Sequence, residues 1–467
     1  MSTQSYPGVP LPPRVDGWPV VGVLPKLLRQ PVEQLRSFPA AGPVTRVRVG
    51  PRDVFFVNHP DLAHEVLAER SGDFVKAGLG KERMRPLGGD GIALADGEQW
   101  ARARRMISPL FARGRLAGLA DKMANTIDDH LSHWDEVADR DVEVDLSLEM
   151  AGLTLSVLSA TMFSQSLDPA ERDQLGRDWK AVMTWIQARV FTPGLPEWLP
   201  MPFERRGRQA LHRIETQLNR MIAERGDGSA DGDLLDALVS ASDDGYRFDD
   251  VELRDHAINL IFAGHETTAA TVTWALVLLE QHPEWAEQVI DEVDRVLGDR
   301  APVYEDTIRL EVTRAAWEEA LRIAPPGTVS PRSALVDSVL GGFLIPRDSI
   351  VLINYVAVQS HPQFWESPDR YDPSRFLGPD AGPRRQRAHM PFGTGPRACV
   401  GALMGTMEGV FVLAMVLQRF RLTLAPGSSM KATMRGTIHF KDGPRVLVRR
   451  RLGTNLGATP APAEVPV

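Results

Sequence analysis

The sequence predicts a mainly α-helical protein with a smaller β portion, and three features of the chain carry this prediction. From about residue 60 to 330, apolar residues recur at helical spacing in long segments that Pro- and Gly-rich stretches separate. A strongly apolar stretch over residues 402–420 is typical of a buried helix. Short segments with the pattern of strands lie before residue 60 and after residue 340.

Composition limits the classes of protein to which the chain can belong. Its 467 residues, 43% of them hydrophobic, are enough for a substantial core. The formal net charge of -8 argues against a nucleic-acid-binding protein, which needs a basic face. A single cysteine excludes an intramolecular disulfide and a multi-cysteine metal site. Residues 1–40 contain no signal-peptide pattern and no bilayer-length apolar span, so we expect a cytoplasmic protein without a membrane anchor.

Two strands and a helix are the first informative elements along the chain. Residues 44–49 alternate apolar and polar side chains, residues 50–53 have the composition of a turn, and residues 54–57 resume a strand. This pattern predicts a hairpin. In a later helical segment, Trp100 and Arg104 are four residues apart, which places both on one helix face.

A long helix is predicted over residues 251–280, ending near Pro283. A glycine inside a helix costs roughly 1 kcal/mol relative to alanine, and threonine hydroxyls can bend a helix by bonding back to carbonyls. Two interpretations fit equally well: a site where the helix opens and a desolvated carboxylate moves protons, or a buried helix with an incidental glycine. The segment concerned is Ala263-Gly264-His265-Glu266-Thr267-Thr268.

The same segment begins like the helix of a zinc peptidase, with His265 followed by Glu266. The second histidine of the H-E-x-x-H motif would fall at position 269, which is alanine. A zinc peptidase is therefore excluded.

A charged pair and an irregular segment follow. Glu319 and Arg322 lie three residues apart on a predicted helix, where an ordinary surface pair contributes only a few tenths of a kcal/mol. Residues 361–398 are rich in Pro, Arg and Gly and are expected to form a packed coil. Strand patterns return at residues 342–346, 436–440 and 445–448.

Cys399 lies in a glycine-rich loop directly before the apolar helix predicted from residue 402. At a helix N-terminus the dipole and the free N–H groups favour an anion, so we expect the thiol pKa to be lowered. Gly393, Gly395 and Gly401 omit side chains where the backbone turns tightly or approaches something large and flat. Taken alone, however, a single cysteine is most simply a small buried apolar side chain.

Together these motifs resemble those of the cytochrome P450 family. The segment from Phe392 to Gly401 matches the haem-binding motif F-x-x-G-x-R-x-C-x-G at every fixed position, and residues 263–268 match the oxygen-activating motif A-G-x-[DE]-T-[TS]. Glu319 and Arg322 are similar to the family's E-x-x-R, residues 373–376 to P-x-R-F, and residues 100–104 to W-x-x-x-R. All five motifs occur in the family's order.

The resemblance implies the cytochrome P450 fold, a triangular prism with haem b between the long distal helix and the proximal helix after the cysteine loop. A single catalytic domain is implied over residues 21–452, between a proline-rich segment (residues 1–20) and a tail (residues 453–467) that we expect to be disordered. Glu319, Arg322 and Arg375 are assigned a structural role behind the haem.

Site residues are carried over from the family motif by motif. Cys399 is implied as the axial ligand of the iron, where a thiolate promotes O–O cleavage. The residues assigned to cofactor binding beside it are Phe392, Gly393, Arg397, Gly401, Trp100, Arg104 and Arg332. The residues assigned to catalysis are Ala263, Gly264, Glu266 and Thr267.

The implied activity is that of a soluble bacterial haem-thiolate monooxygenase, which inserts one atom of O2 into a hydrophobic small molecule by hydroxylation or epoxidation. Electrons from NAD(P)H are expected through a separate ferredoxin or flavodoxin and its reductase, since no reductase domain follows residue 453. By association alone, the substrate is expected among terpenoids, polyketides or macrocycles of specialised metabolism. We expect a monomer.

Two other functions stay open. The first is a peroxide-dependent or isomerising haem-thiolate enzyme, which has no need of Glu266 and Thr267. The second is a non-enzymatic haem sensor or electron carrier, in which the distal site is filled or closed. A group of arginines is equally compatible with a patch for an acidic redox partner and with a solvated face: Arg102, Arg105, Arg384, Arg385 and Arg387.

Overall fold

The computed structural model describes a defined part of the chain. The described residues are 6–18, 22–49, 52–76, 78–138, 140–165, 168–190, 201, 203–225, 232–379, 381–382 and 387–451. The first half of the turn predicted at residues 50–53, the expected disordered tail at residues 453–467, and Arg384 and Arg385 lie outside them. The second half of that turn, residues 52–53, belongs instead to the strand that follows.

Helices account for most of the regular structure, as predicted. In chain order the described helices are α1 (Leu24–Arg29), α2 (Pro31–Ser37), α3 (Pro60–His64), α4 (Gly78–Gly88), α5 (Gly97–Ile107), α6 (Arg113–Ala138), α7 (Leu146–Phe163), α8 (Pro169–Val190), α9 (Glu204–Glu224), α10 (Leu234–Ser240), α11 (Asp250–Gln281), α12 (Pro283–Val296), α13 (Asp306–Arg309), α14 (Glu311–Ile323), α15 (Tyr355–Val358) and α16 (Ala402–Arg419).

The smaller β portion is concentrated towards the two ends of the chain. In chain order the strands are β1 (Arg14–Val15), β2 (Val44–Val49), β3 (Arg52–Val57), β4 (Phe74–Lys76), β5 (Glu143–Asp145), β6 (Val329–Ala334), β7 (Ser338–Leu340), β8 (Phe343–Ile345), β9 (Ile350–Asn354), β10 (Phe420–Leu424), β11 (Ala432–Arg435), β12 (Thr437–Phe440) and β13 (Arg445–Arg450). The largest sheet has the order β1-β2-β3-β9-β6-β4.

The predicted N-terminal hairpin is confirmed, because β2 and β3 pair antiparallel from Val44 opposite Val57 to Val49 opposite Arg52. The C-terminal strands differ from a simple hairpin. Although a short turn separates β12 from β13, β12 pairs with β11, whereas β13 pairs with β10 and β5. The two segments therefore join different sheets.

Helix α11 crosses the protein as one continuous element, and its ends follow from local chemistry. Asp249 caps the first turn by accepting from the Glu252 N–H, while the Glu252 carboxylate accepts from the Asp249 N–H. At the other end the helix stops at His282, directly before the proline that begins α12. The predicted bounds are thus correct to within one residue.

Helices α6, α7, α11 and α16 contribute to one large hydrophobic core that includes the buried side chains of Trp134, Trp317 and Phe411. Helix α16 packs closely on α14 because Gly409 has no side chain: a Cβ there would lie 2.6 Å from the Trp317 indole. By length and composition α7 and α16 could each cross a membrane, but both are mostly buried in this core.

The pair Glu319 and Arg322 is a buried structural element and not a surface pair. Arg322 Nε lies 2.6 Å from Glu319 Oε2, and Arg375 Nε lies 3.3 Å from Glu319 Oε1. Arg322 also donates to the backbone carbonyls of Gln359, Pro368 and Arg370. The carboxylate and two guanidinium groups therefore tie α14 to the coil that precedes the cysteine loop, as predicted.

Candidate active site

The cysteine loop is a compact turn held by its own backbone. The Cys399 N–H donates to the Phe392 carbonyl at 2.8 Å, and the Ala398 N–H donates to the Gly395 carbonyl at 3.1 Å. Gly393 and Gly395 have φ values of 68° and 74°, which favour glycine. At Gly395 a Cβ would also lie 2.1 Å from the Leu67 carbonyl oxygen. The sequence therefore places Cys399 at a fixed position just before α16.

The Cys399 thiol shows one departure from the sequence-based expectation. The residue is exposed, yet desolvation by the surrounding protein raises the pKa of its thiol. The Gly401 N–H and the charge of Arg104 lower this pKa but do not outweigh desolvation. The prediction of a lowered thiol pKa is therefore wrong for the protein alone. A coordinated metal ion would supply the missing positive charge and deprotonate the thiol.

Cationic side chains gather beside this loop. Lys76 on β4 pairs in register with Arg332 on β6. Burial, and then the charges of Arg332 and Arg397, lower the pKa of Lys76 to about 8. Asp96 is the carboxylate that faces this group: it accepts from Arg397 and lies 3.4 Å from Lys81. Positive charge therefore exceeds negative charge here, which suits a ligand with carboxylate groups.

Two residues of α5 connect that helix to the cysteine loop. The Trp100 ring lies 4.3 Å from the Arg397 guanidinium carbon, a cation–π contact. Arg104 Nη1 donates to the Ala398 carbonyl at 2.8 Å. The structure thus brings Trp100, Arg104 and Arg397 together. Arg332 is also close enough for its charge to lower the pKa of Arg397.

On α11, the residues singled out from the sequence divide between two faces. Ala263 is exposed, although Ile261 and Thr268 nearby on the helix are buried, and Thr267 Oγ1 donates back to the Ala263 carbonyl. Gly264 faces α7, where a Cβ would lie 3.3 Å from the Leu158 side chain. The predicted back-bonding of threonine is confirmed, but Gly264 does not share the exposed face of Ala263.

Glu266 faces a cavity of about 500 Å³ between α7, α8, α11 and β12. Burial raises the pKa of Glu266 to about 7, against the smaller opposite effect of the Thr437 hydroxyl, which donates to Glu266 Oε1 at 3.3 Å. Arg172, Arg177 and Lys180 line another part of the same cavity. A carboxylate that titrates near neutral pH and faces an open cavity is suited to proton transfer.

The comparison with known families decides the identity of this arrangement. The family model described as cytochrome P450 matches residues 11–447, which is nearly the whole chain. The chain belongs to the cytochrome P450 family. It is therefore a cytochrome P450 monooxygenase by family, and haem iron is its cofactor.

Similar bacterial P450s cover almost the same length. The chain is 33% identical over 416 residues to cyclooctat-9-en-7-ol 5-monooxygenase of Streptomyces melanosporofaciens, covering 88% of this chain and 89% of that enzyme. Cyclooctatin synthase of the same organism is 34% identical, with 89% and 90% covered. Pentalenene oxygenase of Streptomyces avermitilis is 29% identical, with 90% and 93% covered.

Among solved structures, the haem domain of cytochrome P450DA superposes with a TM-score of 0.86 at 26% identity, over 95% of this chain and 98% of that domain. The cytochrome P450 fold predicted from the motifs is therefore confirmed.

The residues present fit a haem group. Cys399 is exposed in a position to reach an iron ion, and the excess of cations beside the loop matches the two carboxylates of haem. Gly401 adds a further observation: its φ is ordinary, and a Cβ would lie no closer than 3.9 Å to any described side chain of the protein. Glycine at position 401 thus leaves a space beside the backbone that the described side chains of the protein do not fill.

Sequence reasoning missed Lys76 and Asp96. Lys76 reaches the site only because β4 pairs with β6, a contact between distant parts of the chain that no local motif reveals. Asp96 precedes α5 and has the residue type of a helix cap. Its side chain makes no capping bond and turns to Arg397 and Lys81.

Proposed function

We propose that this P450 inserts one atom of dioxygen into a terpenoid-like, mostly hydrocarbon substrate, with electrons from NAD(P)H delivered by a separate ferredoxin or flavodoxin and its reductase. The observation that carries the proposed reaction is Glu266, a carboxylate with a pKa of about 7 next to Thr267 on α11. Neither a peroxide-dependent enzyme nor an electron carrier requires such a pair.

The proposed substrate class has support from the relatives. Two similar bacterial enzymes are named for a cyclic alkenol, cyclooctat-9-en-7-ol, and for an alkene, pentalenene. This evidence defines a class of substrate and not one compound.

In the proposed mechanism the cofactor-binding residues hold the haem and tune its ligand. Bound haem supplies the iron centre that activates dioxygen. Cys399 would bind the iron through Sγ, and the Gly401 N–H would stabilise negative charge on that sulfur. By the family's motif, Phe392 would pack beside it. Gly393 lets the loop turn. The cations and the aromatic side chain beside the loop would hold the haem propionates: Lys76, Trp100, Arg104, Arg332 and Arg397.

Protons reach the site through Glu266 in this proposal. Water in the cavity protonates Glu266 at Oε1 or Oε2, and the Thr437 hydroxyl orients the carboxyl group. Thr267 holds its own proton in a bond to the Ala263 carbonyl and can rotate about χ1 to donate it on the exposed face of α11. In the proposal, the proton that Thr267 gives up on this face is replaced by one from Glu266, and the Glu266 carboxylate is protonated again by solvent through the cavity.

The proposed redox partner has weaker support from surface charge. Arg105 pairs with Glu98 and Asp243, and Arg387 pairs with Asp61, so their charges are largely compensated. Arg102 lies over the Tyr246 ring at 3.9 Å. An acidic partner therefore needs more than these arginines, and we base the proposal of separate redox proteins and a cytoplasmic location on the similarity to bacterial P450s.

The proposal is tested by reconstituting the enzyme with NADPH, a ferredoxin, its reductase and a cyclic terpene alcohol under labelled dioxygen. The expected product carries one labelled oxygen atom. Thr267→Ala should lower product formed per NADPH by roughly 100-fold or more, since a positioned proton-transfer group typically contributes about 10²–10⁴-fold. Thr271→Ala is the matched control, since Thr271 makes the same back-bond one turn further on. If Thr267→Ala leaves the product formed per NADPH unchanged, the proposed proton relay is wrong.

A further inference from the structure

A second site with metal-binding chemistry lies away from the cysteine loop, where α6 meets α7. Its side chains are His130 and His133, three residues apart on α6, and Glu149 on the first turn of α7. One nitrogen or oxygen atom from each residue lies within 4.8 Å of the other two. Three such donors are the ligand set of many zinc sites.

We propose that His130, His133 and Glu149 bind a divalent metal ion of the Zn²⁺ class, independently of the haem. His133 Nε2 lies 3.0 Å and His130 Nε2 lies 3.5 Å from Glu149 Oε2. Ligands around a tetrahedral Zn²⁺ at its usual bond lengths stand roughly 3.4 Å apart. The distances from each histidine Nε2 to Glu149 Oε2 therefore already suit a shared metal ion. A small movement of the side chains would bring the distance between the two histidines to the same value.

The hydrogen bonds around His133 prepare it to be a ligand. Its Nδ1 lies 2.6 Å from the His130 carbonyl oxygen, which can only accept, so Nδ1 carries the proton. In the neutral ring the Nε2 lone pair then points at a carboxylate oxygen, and only a proton or a metal ion between them makes that contact favourable. A backbone carbonyl on the other ring nitrogen is also the usual support of a metal-binding histidine.

His130 supplies the second observation. The residue is 6% exposed, and its Nε2 meets Glu149 Oε2 at 3.5 Å without the geometry of a hydrogen bond and has no hydrogen-bond partner among the described residues. A buried polar atom without a partner costs free energy, and a bound metal ion would relieve that cost. Glu149 is in turn held by the Trp134 indole, whose Nε1 donates to Oε2 at 3.1 Å. The site thus has supporting contacts beyond its three ligands.

Arg172 on α8 opposes metal binding and gives the proposal a specific test. Its Nη1 lies 3.3 Å from His130 Nδ1, which keeps the His130 proton on Nε2. Binding requires this proton to move to Nδ1 and Arg172 to withdraw. Removing the arginine should therefore favour the metal, both by freeing Nδ1 and by removing a nearby positive charge.

The experiment is a calorimetric titration of the haem-loaded, chelator-treated protein with Zn²⁺. We expect saturable binding of one Zn²⁺, affinity reduced at least tenfold in His133→Ala and Glu149→Gln, and tighter binding in Arg172→Gln. His212→Ala, at an exposed histidine of α9, is the matched control and should bind normally. Circular dichroism and haem content verify that each variant is folded, and His133→Gln replaces His133→Ala if it is not.

A second measurement uses stability. Because the ligands come from α6 and α7, bound Zn²⁺ should raise the thermal midpoint of the wild type and not that of Glu149→Gln. The proposal is overturned if the wild type shows no saturable binding, if binding survives in both ligand variants, or if Arg172→Gln leaves the affinity unchanged.

Discussion

The side chains of Glu266 and Cys399 both carry raised pKa values, because protein atoms replace water around them. For Glu266 the effect places titration near pH 7, inside the range where an enzyme works. For Cys399 it keeps the proton on the sulfur until a positive ion binds. At the scale of single residues, desolvation is thus the common cause of both raised pKa values.

We predict that Glu266 makes coupling pH-dependent. Below about pH 7 the carboxyl group is mostly protonated and can donate, and above that pH it is mostly ionised. Product formed per NADPH should therefore fall as the pH rises through 7 in the wild type. In Glu266→Gln the coupling should be low and flat across the same range. Glu280→Gln, on the same helix, is the control and should keep the wild-type profile.

The direction of these two shifts was only partly predictable from sequence. A glutamate among apolar residues of a long helix already indicates desolvation, so the raised pKa of Glu266 is as expected. The motif around Cys399 reveals the start of a helix and an arginine but not the amount of protein around the sulfur. That quantity depends on distant segments such as residues 95–104, which fold over the loop.

A strap of hydrogen bonds from α11 fixes the segment that leads into α5. The amides of Asp90, Ile92 and Ala93 donate to side chains of Asp255, His256 and Asn259, respectively. Asn259 Nδ2 also donates to the Gly88 carbonyl at 3.0 Å. The same segment continues to Ala95, whose carbonyl accepts from Arg397. At the scale of elements, the strap connects the distal helix to the cysteine loop.

Asn259→Ala should loosen this connection. The variant leaves the half-buried Ala93 amide without its partner, which typically costs about 1–3 kcal/mol. It also removes one of the two hydrogen bonds to the Gly88 carbonyl, which still accepts from the Gly91 N–H. We expect faster hydrogen exchange at Ile92 and Ala93 and faster loss of haem. Thr273→Ala removes only an internal back-bond of the same helix and should leave both measurements near the wild type. Exchange rates that do not differ between the two variants would contradict the strap.

Sequence patterns identified α11 and its ends but not the strap. The capping box and the proline act within a few residues of the helix ends, so they are visible locally. The strap instead joins residues 88–93 to residues 255–259, and three closely spaced glycines are its only local trace. At Gly91 a Cβ would lie 2.6 Å from the Asp255 carbonyl oxygen and the Asn259 amide nitrogen.

At the scale of the whole molecule, stability depends on a buried acid of the proximal helix. Glu408 on α16 is 4% exposed, and its Oε1 has no hydrogen-bond partner among the described residues. Burial raises the pKa of Glu408 to about 8. Because the folded state binds this proton more tightly than the unfolded chain, stability falls as the pH rises from about 4.5 to about 8.

Glu408→Gln should remove this pH dependence. The amide has nearly the same shape as the carboxyl group and carries no charge. In the wild type, Glu408 should lower the free energy of unfolding by about 1.4 kcal/mol per pH unit between 4.5 and 8. The variant should lack this decrease. Urea unfolding followed by circular dichroism at several pH values measures the difference. The variant should be clearly more stable than the wild type at pH 9 and similar to it at pH 5. Parallel curves would show that Glu408 does not titrate as described.

Part of the architecture was predictable from sequence because the patterns that indicate helices and the N-terminal hairpin are local. The pairing of other strands was not predictable, because it joins distant parts of the chain. Helix content and the N-terminal hairpin follow from spacing within short segments, whereas the Glu319–Arg322–Arg375 cluster was implied by the resemblance to the family's motifs. The pairing of β13 with β10 and β5 does not follow from such spacing, because it joins segments that are far apart in the chain. Neither does the approach of Lys76 to Arg332, which depends on the order of the largest sheet.

The central claim is that Cys399 is the ligand of the haem iron, and the spectrum of the reduced protein with carbon monoxide tests it directly. The wild type should show the red-shifted Soret band of a thiolate-ligated ferrous carbon monoxide complex. Cys399→Ser should bind haem through the cations beside the loop, yet lose that band completely. A Cys399→Ser protein that keeps the thiolate band would contradict the assignment and the account of the site built on it.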